Sequence, residues 1–115
     1  MNITLLCVGK LREQWAREGC ALYAERLQRD LTIFELPASK ERDASRQRED
    51  ESDRLLKAAQ KYAGELWALD ETGKAMTSKV FSQSLSGAKD RGTPITFVLG
   101  GAYGLSDAVR TRATK

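Results

Sequence analysis

Hydrophobic and polar positions along this chain follow two rhythms in turn. Short apolar runs at Ile3–Val8, Leu31–Leu36, Glu65–Leu69 and Ile95–Leu99 are bounded by glycine, proline or polar clusters, which is the pattern of strands. Between them apolar residues recur at helical spacing. Trp15, Cys20, Leu22, Tyr23 and Leu27 predict a helix over 12–27, and Leu55, Leu56, Ala58, Ala59 and Tyr62 a second one stopped by Gly64. Thr77 or Ser78 caps a third helix whose inner face carries Val80, Phe81 and Leu85, with Gly87 near its end. Ser106 is a candidate cap for a last helix over 107–114, with Val109 as its main apolar anchor. Strand and helix alternate throughout. That order predicts an α/β fold, a mainly parallel sheet with helices on both faces.

One segment breaks the apolar rhythm. Residues 39–54 are almost wholly polar, with five basic and six acidic residues between Lys40 and Arg54. They predict a solvated loop running into an exposed helix start, with surface pairs of about 0.2–0.5 kcal/mol each.

The most informative run is the last strand together with the glycine turn after it. Ile95–Leu99 leads directly into Gly100, Gly101, Ala102, Tyr103 and Gly104, so a buried strand exits into a tight turn with bare backbone N–H groups. In α/β sheets ligands bind at the carboxyl ends of strands. The third strand ends similarly, in Asp70, Glu71, Thr72, Gly73 and Lys74.

Composition narrows this picture. A length of 115 residues with 41% hydrophobic content supports one domain over 1–115. A net charge of +3 permits an anionic partner such as RNA without indicating one. The chain has no histidine, and Cys7 and Cys20 form no CxxC pair, so they are expected to be buried free thiols and no metal is expected. With no leader pattern or membrane-length apolar run, a cytoplasmic location is expected, with no membrane partner. Trp15, Trp67, Phe34, Phe81 and Phe97 fall where core packing explains them, and Tyr103 alone sits where exposure is expected.

The chemistry available is sparse. There is no G-x-S-x-G elbow, no phosphate-binding P-loop and no complete G-x-G-x-x-G fingerprint, which disfavours serine-triad hydrolysis, metal-assisted hydrolysis and P-loop phosphoryl transfer. Transfer from a bound cofactor asks less of side chains, and a methyl donor such as S-adenosylmethionine suits glycine-rich strand ends. No side chain stands out as catalytic.

Four separated motifs then point to a family. The opening Ile3 to Leu11, the Tyr23-Ala24-Glu25-Arg26-Leu27 of the first helix, the Leu69 to Lys74 loop with Ser78 and Phe81 after it, and the Phe97 to Leu105 run occur in order. Together they resemble the RlmH (YbeA-like) family of SPOUT-class 23S ribosomal RNA pseudouridine N3-methyltransferases, over essentially the whole chain. The resemblance implies a SPOUT-like α/β knot fold, a homodimer, S-adenosylmethionine as cofactor, and methylation of a pseudouridine in large-subunit ribosomal RNA of the assembled ribosome. Carried over by position, Leu69 would touch the cofactor from the third strand, Gly100 would offer backbone contact from the fourth, and Gly101 and Gly104 would keep the loop open.

Members of that family continue for about one more strand and a long helix, so the expectation is a C-terminally incomplete domain whose knot segment lies outside this chain. Its uncovered apolar surface is then expected to favour instability or self-association. The alternative reading is a catalytically inactive paralogue, an RNA-binding or dimerisation module using Arg110, Arg112, Lys115 and the first helix's basic residues on phosphates.

Overall fold

A computed structural model describes residues 2–115. The strands are β1 (Ile3–Val8), β2 (Leu31–Leu36), β3 (Glu65–Leu69) and β4 (Ile95–Leu99), each with the predicted bounds. The helices are α1 (Gln14–Leu27), α2 (Ala44–Ala59), α3 (Ser78–Asp90) and α4 (Asp107–Arg112). All strand pairs are parallel, in the order β2-β1-β4-β3.

Alternation along the strands sends successive side chains to opposite faces, which creates two cores. Leu6 and Val98 meet Leu55 of α2, Leu105 just before α4 and Val109 within α4 on one face. Trp67, Ile95 and Phe97 meet Ala88, Phe81 and Leu85 of α3 on the other. Helices therefore cover both faces, as expected. Beyond α4, the Thr114 N–H donates to Leu66 O at 2.6 Å and the Ala68 N–H to Lys115 O at 2.9 Å, so these two residues lie along the outer edge of β3.

Four expectations need correction. The segment read as solvated is a helix from Ala44, capped by the Asp43 carboxylate accepting from the Arg46 N–H, and it buries Glu51, Ser52 and Leu55. Its inward positions recur at i, i+1 and i+4, a stripe too narrow for composition to reveal. In α1 the reverse holds: it starts at Gln14 rather than at 12, buries no residue, and only the small Ala16, Gly19 and Ala24 are even partly covered. Trp15 is 76% exposed, Cys20 is exposed, and Phe34 on the edge strand β2 is half-exposed. Val80 turns outward at the start of α3, leaving Phe81 and Leu85 as its inner face.

Candidate functional site

Parallel register brings two distant loops together. Leu69 and Leu99 are register partners at the carboxyl ends of β3 and β4, so the loops after them emerge side by side. Leu69, Asp70, Glu71, Leu99 and residues 100–104 line one cleft of about 410 Å³. All four candidate cofactor residues, Leu69, Gly100, Gly101 and Gly104, thus share one wall system. Leu69 and Leu99 are 42% and 43% exposed, two leucines at a strand edge with open faces toward the cleft. Tyr103 is exposed beside them, as expected. A second cleft of about 670 Å³ shares Leu69 and Asp70 and extends past Met76, Thr77 and Val80 to Lys115.

The glycine loop is shaped by close backbone approach. The Gly104 N–H donates to Gly101 O at 3.1 Å, closing a turn in which Gly104 has φ +78°. A side chain on Gly104 would meet the left-handed penalty. A Cβ on Gly100 would lie 2.6 Å from Gly104 O, so only glycine lets the two ends of the turn touch.

Helix α2 supports this turn from the sheet face that it covers. The Ser106 N–H donates to the buried Ser52 Oγ at 2.9 Å. Ser106 occupies the cap position of α4, but its hydroxyl makes no cap bond there. One residue earlier, the Glu51 side chain is 1% exposed and reaches the loop at Gly101.

The β3 loop is closed by the Gly73 N–H donating to Asp70 O at 3.0 Å and is tied down further by the Asp70 side chain. Asp70 Oδ2 accepts from the Thr72 hydroxyl, the Thr72 N–H at 3.2 Å and Arg110 Nε at 3.0 Å. Arg110 also reaches Asp107 Oδ1 at 2.6 Å. Hydrogen bonds from the Thr72 hydroxyl and then Arg110 hold the Asp70 carboxyl below its ordinary range. Asp70 is therefore a clamp between its loop and α4. Arg110 is committed to that clamp and the Lys115 ammonium stands 5.0 Å from the Trp67 ring centre, so two of the cations expected on a phosphate-contacting surface are engaged within the chain.

Four contributors escaped the sequence reading. Leu99 was signalled by the two-residue alternation, since register with Leu69 follows once β3 and β4 are neighbours. Glu51 and Ser52 were signalled only by lying one helical turn before Leu55. The Arg110 clamp had no sequence signal. Cys7 is half-buried rather than buried; it is the register partner of Leu99 but does not line the cleft, and burial first, and Glu35 second, raise its thiol's pKa, so it is a poor nucleophile. Among the described residues no cluster of acidic or cysteine side chains could hold a metal ion, and no helix is long and apolar enough to cross a membrane.

Comparison with known proteins agrees with this architecture. The family described as "Predicted SPOUT methyltransferase" matches residues 1–115. A Ribosomal RNA large subunit methyltransferase H of Geobacter sp. (strain M21) is 44% identical over 118 residues, covering 100% of this chain and 76% of the relative. Proteins of the same name from Geobacter sulfurreducens and Streptococcus suis are 37% and 38% identical, covering 100% and 98% of this chain and 76% of each relative.

Proposed function

The chain belongs to the SPOUT methyltransferase family, and on that premise we propose that it binds S-adenosylmethionine and methylates N3 of a pseudouridine in large-subunit ribosomal RNA. The observation that carries this reading is the convergence of Leu69, Gly100, Gly101 and Gly104 on one cleft from loops separated by thirty residues of sequence. The rRNA substrate rests on the names of the relatives and the pseudouridine on the resemblance of the motifs.

The residues present fit such a cofactor. Leu69 and Leu99 offer apolar contact, and the missing Cβ atoms at Gly100 and Gly101 let the turn pack on Gly104 O and on Glu51, so that a glycine-rich turn lines this side of the cleft for an adenine or ribose. Bound there, S-adenosylmethionine would supply an electrophilic methyl group on a cationic sulfur. The chain's own work is then to exclude water with the two leucines, to fix the donor through the glycine turn, and to hold the β3 loop through Asp70. Asp70 is committed to holding this loop, since three donors occupy its Oδ2, and those from Thr72 and Arg110 lower its affinity for protons. Transfer in this reading rests on positioning. The exposed apolar side of α1 supports assembly as a homodimer.

Calorimetric titration of S-adenosylmethionine into the protein tests the cofactor half. Saturable binding that Leu69→Asp weakens at least tenfold is expected; no binding, or binding indifferent to that change, overturns it. Incubation with undermethylated ribosomes, followed by mass mapping of the large-subunit RNA, tests the substrate half. A gain of one methyl on a pseudouridine is expected, and unchanged RNA in the presence of proven cofactor binding overturns that half alone.

A further inference from the structure

Glu51 is the most anomalous side chain outside the cleft walls. It is charged by type, 1% exposed and buried in the middle of α2. Oε2 is satisfied, accepting from the Ser39 N–H at 2.9 Å and lying 3.4 Å from Gln47 Nε2. Oε1 is buried without a hydrogen-bond partner among the described residues. A buried unpaired carboxylate oxygen is costly, and a helix this polar had many alternatives for the position.

Where Oε1 points suggests why it is kept. A Cβ built on Gly101 would lie 2.5 Å from Glu51 Oε1 and 3.3 Å from Val8 Cγ1. Gly101 is not among the residues with positive φ, so no left-handed penalty stands against a side chain there. What such a side chain would have to displace is first Glu51 Oε1, on a carboxyl group whose Oε2 is held by the Ser39 N–H, and then Val8. The adjacent Ser52 holds the other end of the same loop through the Ser106 N–H. Successive residues of α2 therefore grip both ends of the segment that forms the cleft wall.

We propose that Glu51 is a positioning residue for the cofactor loop, with its Oε1 carboxylate oxygen packed against Gly101 fixing the shape of residues 100–104 and so setting cofactor affinity. The affinity part rests on the function proposed above; the loop-shaping part does not. Glu51 touches no reacting group in this scheme and acts through Gly101.

Two measurements separate the parts. Amide hydrogen exchange without ligand is compared for the parent, Glu51→Gln and Glu51→Ala. Exchange at residues 100–106 is expected to accelerate at least tenfold in Glu51→Ala and less in Glu51→Gln, which keeps the shape, while β1 and α3 stay unchanged. A loop whose exchange is unaltered in both variants overturns the proposal, as does acceleration spread evenly over the sheet. Titration with S-adenosylmethionine then reads affinity across a cycle of Gly101→Ala, Glu51→Ala and the double variant. Gly101→Ala is expected to weaken binding at least tenfold and Glu51→Ala to restore part of that loss by removing the obstructing oxygen. Strictly multiplicative losses overturn the coupling. If the parent binds no S-adenosylmethionine while loop exchange responds to Glu51, the proposed cofactor fails and the loop-shaping role stands.

Discussion

Helices α1 and α2 exchange the roles that their compositions suggest. α1 carries Trp15, Leu22, Tyr23 and Leu27, yet it buries nothing, and each of these side chains is at least 43% exposed. α2 is far more polar than α1, yet it supplies Leu55 to the core and Glu51 and Ser52 to the back of the glycine loop. The difference teaches that a helix is buried by what stands opposite it. α2 faces Leu6, Val98 and the β4 exit, where the glycine loop leaves the sheet, whereas the apolar side chains of α1 stay exposed among the described residues.

That contrast can be broken at several points. Leu55→Ala removes a fully buried side chain between the sheet and α4, and about 2–5 kcal/mol of stability is expected to go with it in chemical denaturation. A loss below about 1 kcal/mol would mean that α2 is not the helix that closes this face. Ser52→Ala leaves the buried Ser106 N–H without its acceptor, and about 1–3 kcal/mol is expected, with faster exchange at 106 and its neighbours. Gly104→Ala forces a side chain onto φ +78° and is expected to cost about 1–2 kcal/mol, read as a lowered Tm.

A pH effect of smaller reach sharpens the comparison between the two loops. The Asp70 carboxyl is lowered by the Thr72 and Arg110 hydrogen bonds, and that of Glu65 by the Trp67 indole N–H first and Arg91 after it. A depressed folded-state pKa gives stability that is fully present above the unfolded value, near pH 4, and is lost as pH falls through the folded value. Thermal stability is therefore expected to decline below about pH 4, and Asp70→Asn to remove part of that acid limb. An Asp70→Asn variant with an unchanged acid limb would show that the clamp carries no stability. The smallest effect is expected at Trp15→Ala, within about 0.5 kcal/mol for a single copy, since its side chain is three-quarters exposed. A larger loss that shrinks on dilution would show that α1 is covered by a partner and narrow the contrast with α2.

Much of the site was legible before any coordinates. The glycine turn after β4 carries a local chemical signature, Leu69 came from the resemblance to a known family, and a parallel sheet puts both strand ends on one edge. Leu99 needed one more step, the β3–β4 register. Glu51, Ser52 and Arg110 were not legible, because each acts across 40 to 54 residues of sequence on a loop or carboxylate that no periodicity marks. The exposure of Trp15 and Phe34 was misjudged for the same reason: an apolar residue states a preference for burial, and only a facing surface grants it.

What the sequence determined by itself was therefore local. The alternation of short β-rich runs with helical repeats fixed the strands to the residue, the α/β class and the loops that carry glycine, since strand pleat and glycine freedom are properties of a few consecutive residues. Tertiary structure decided which of these pieces meet. It chose the order β2-β1-β4-β3, which sets Leu69 beside Leu99, and it turned a polar helix inward so that Glu51 and Ser52 stand behind the glycine loop. Such pairings are made by packing across the whole sheet, where the energy of a contact depends on both partners and the chain pattern records only one at a time.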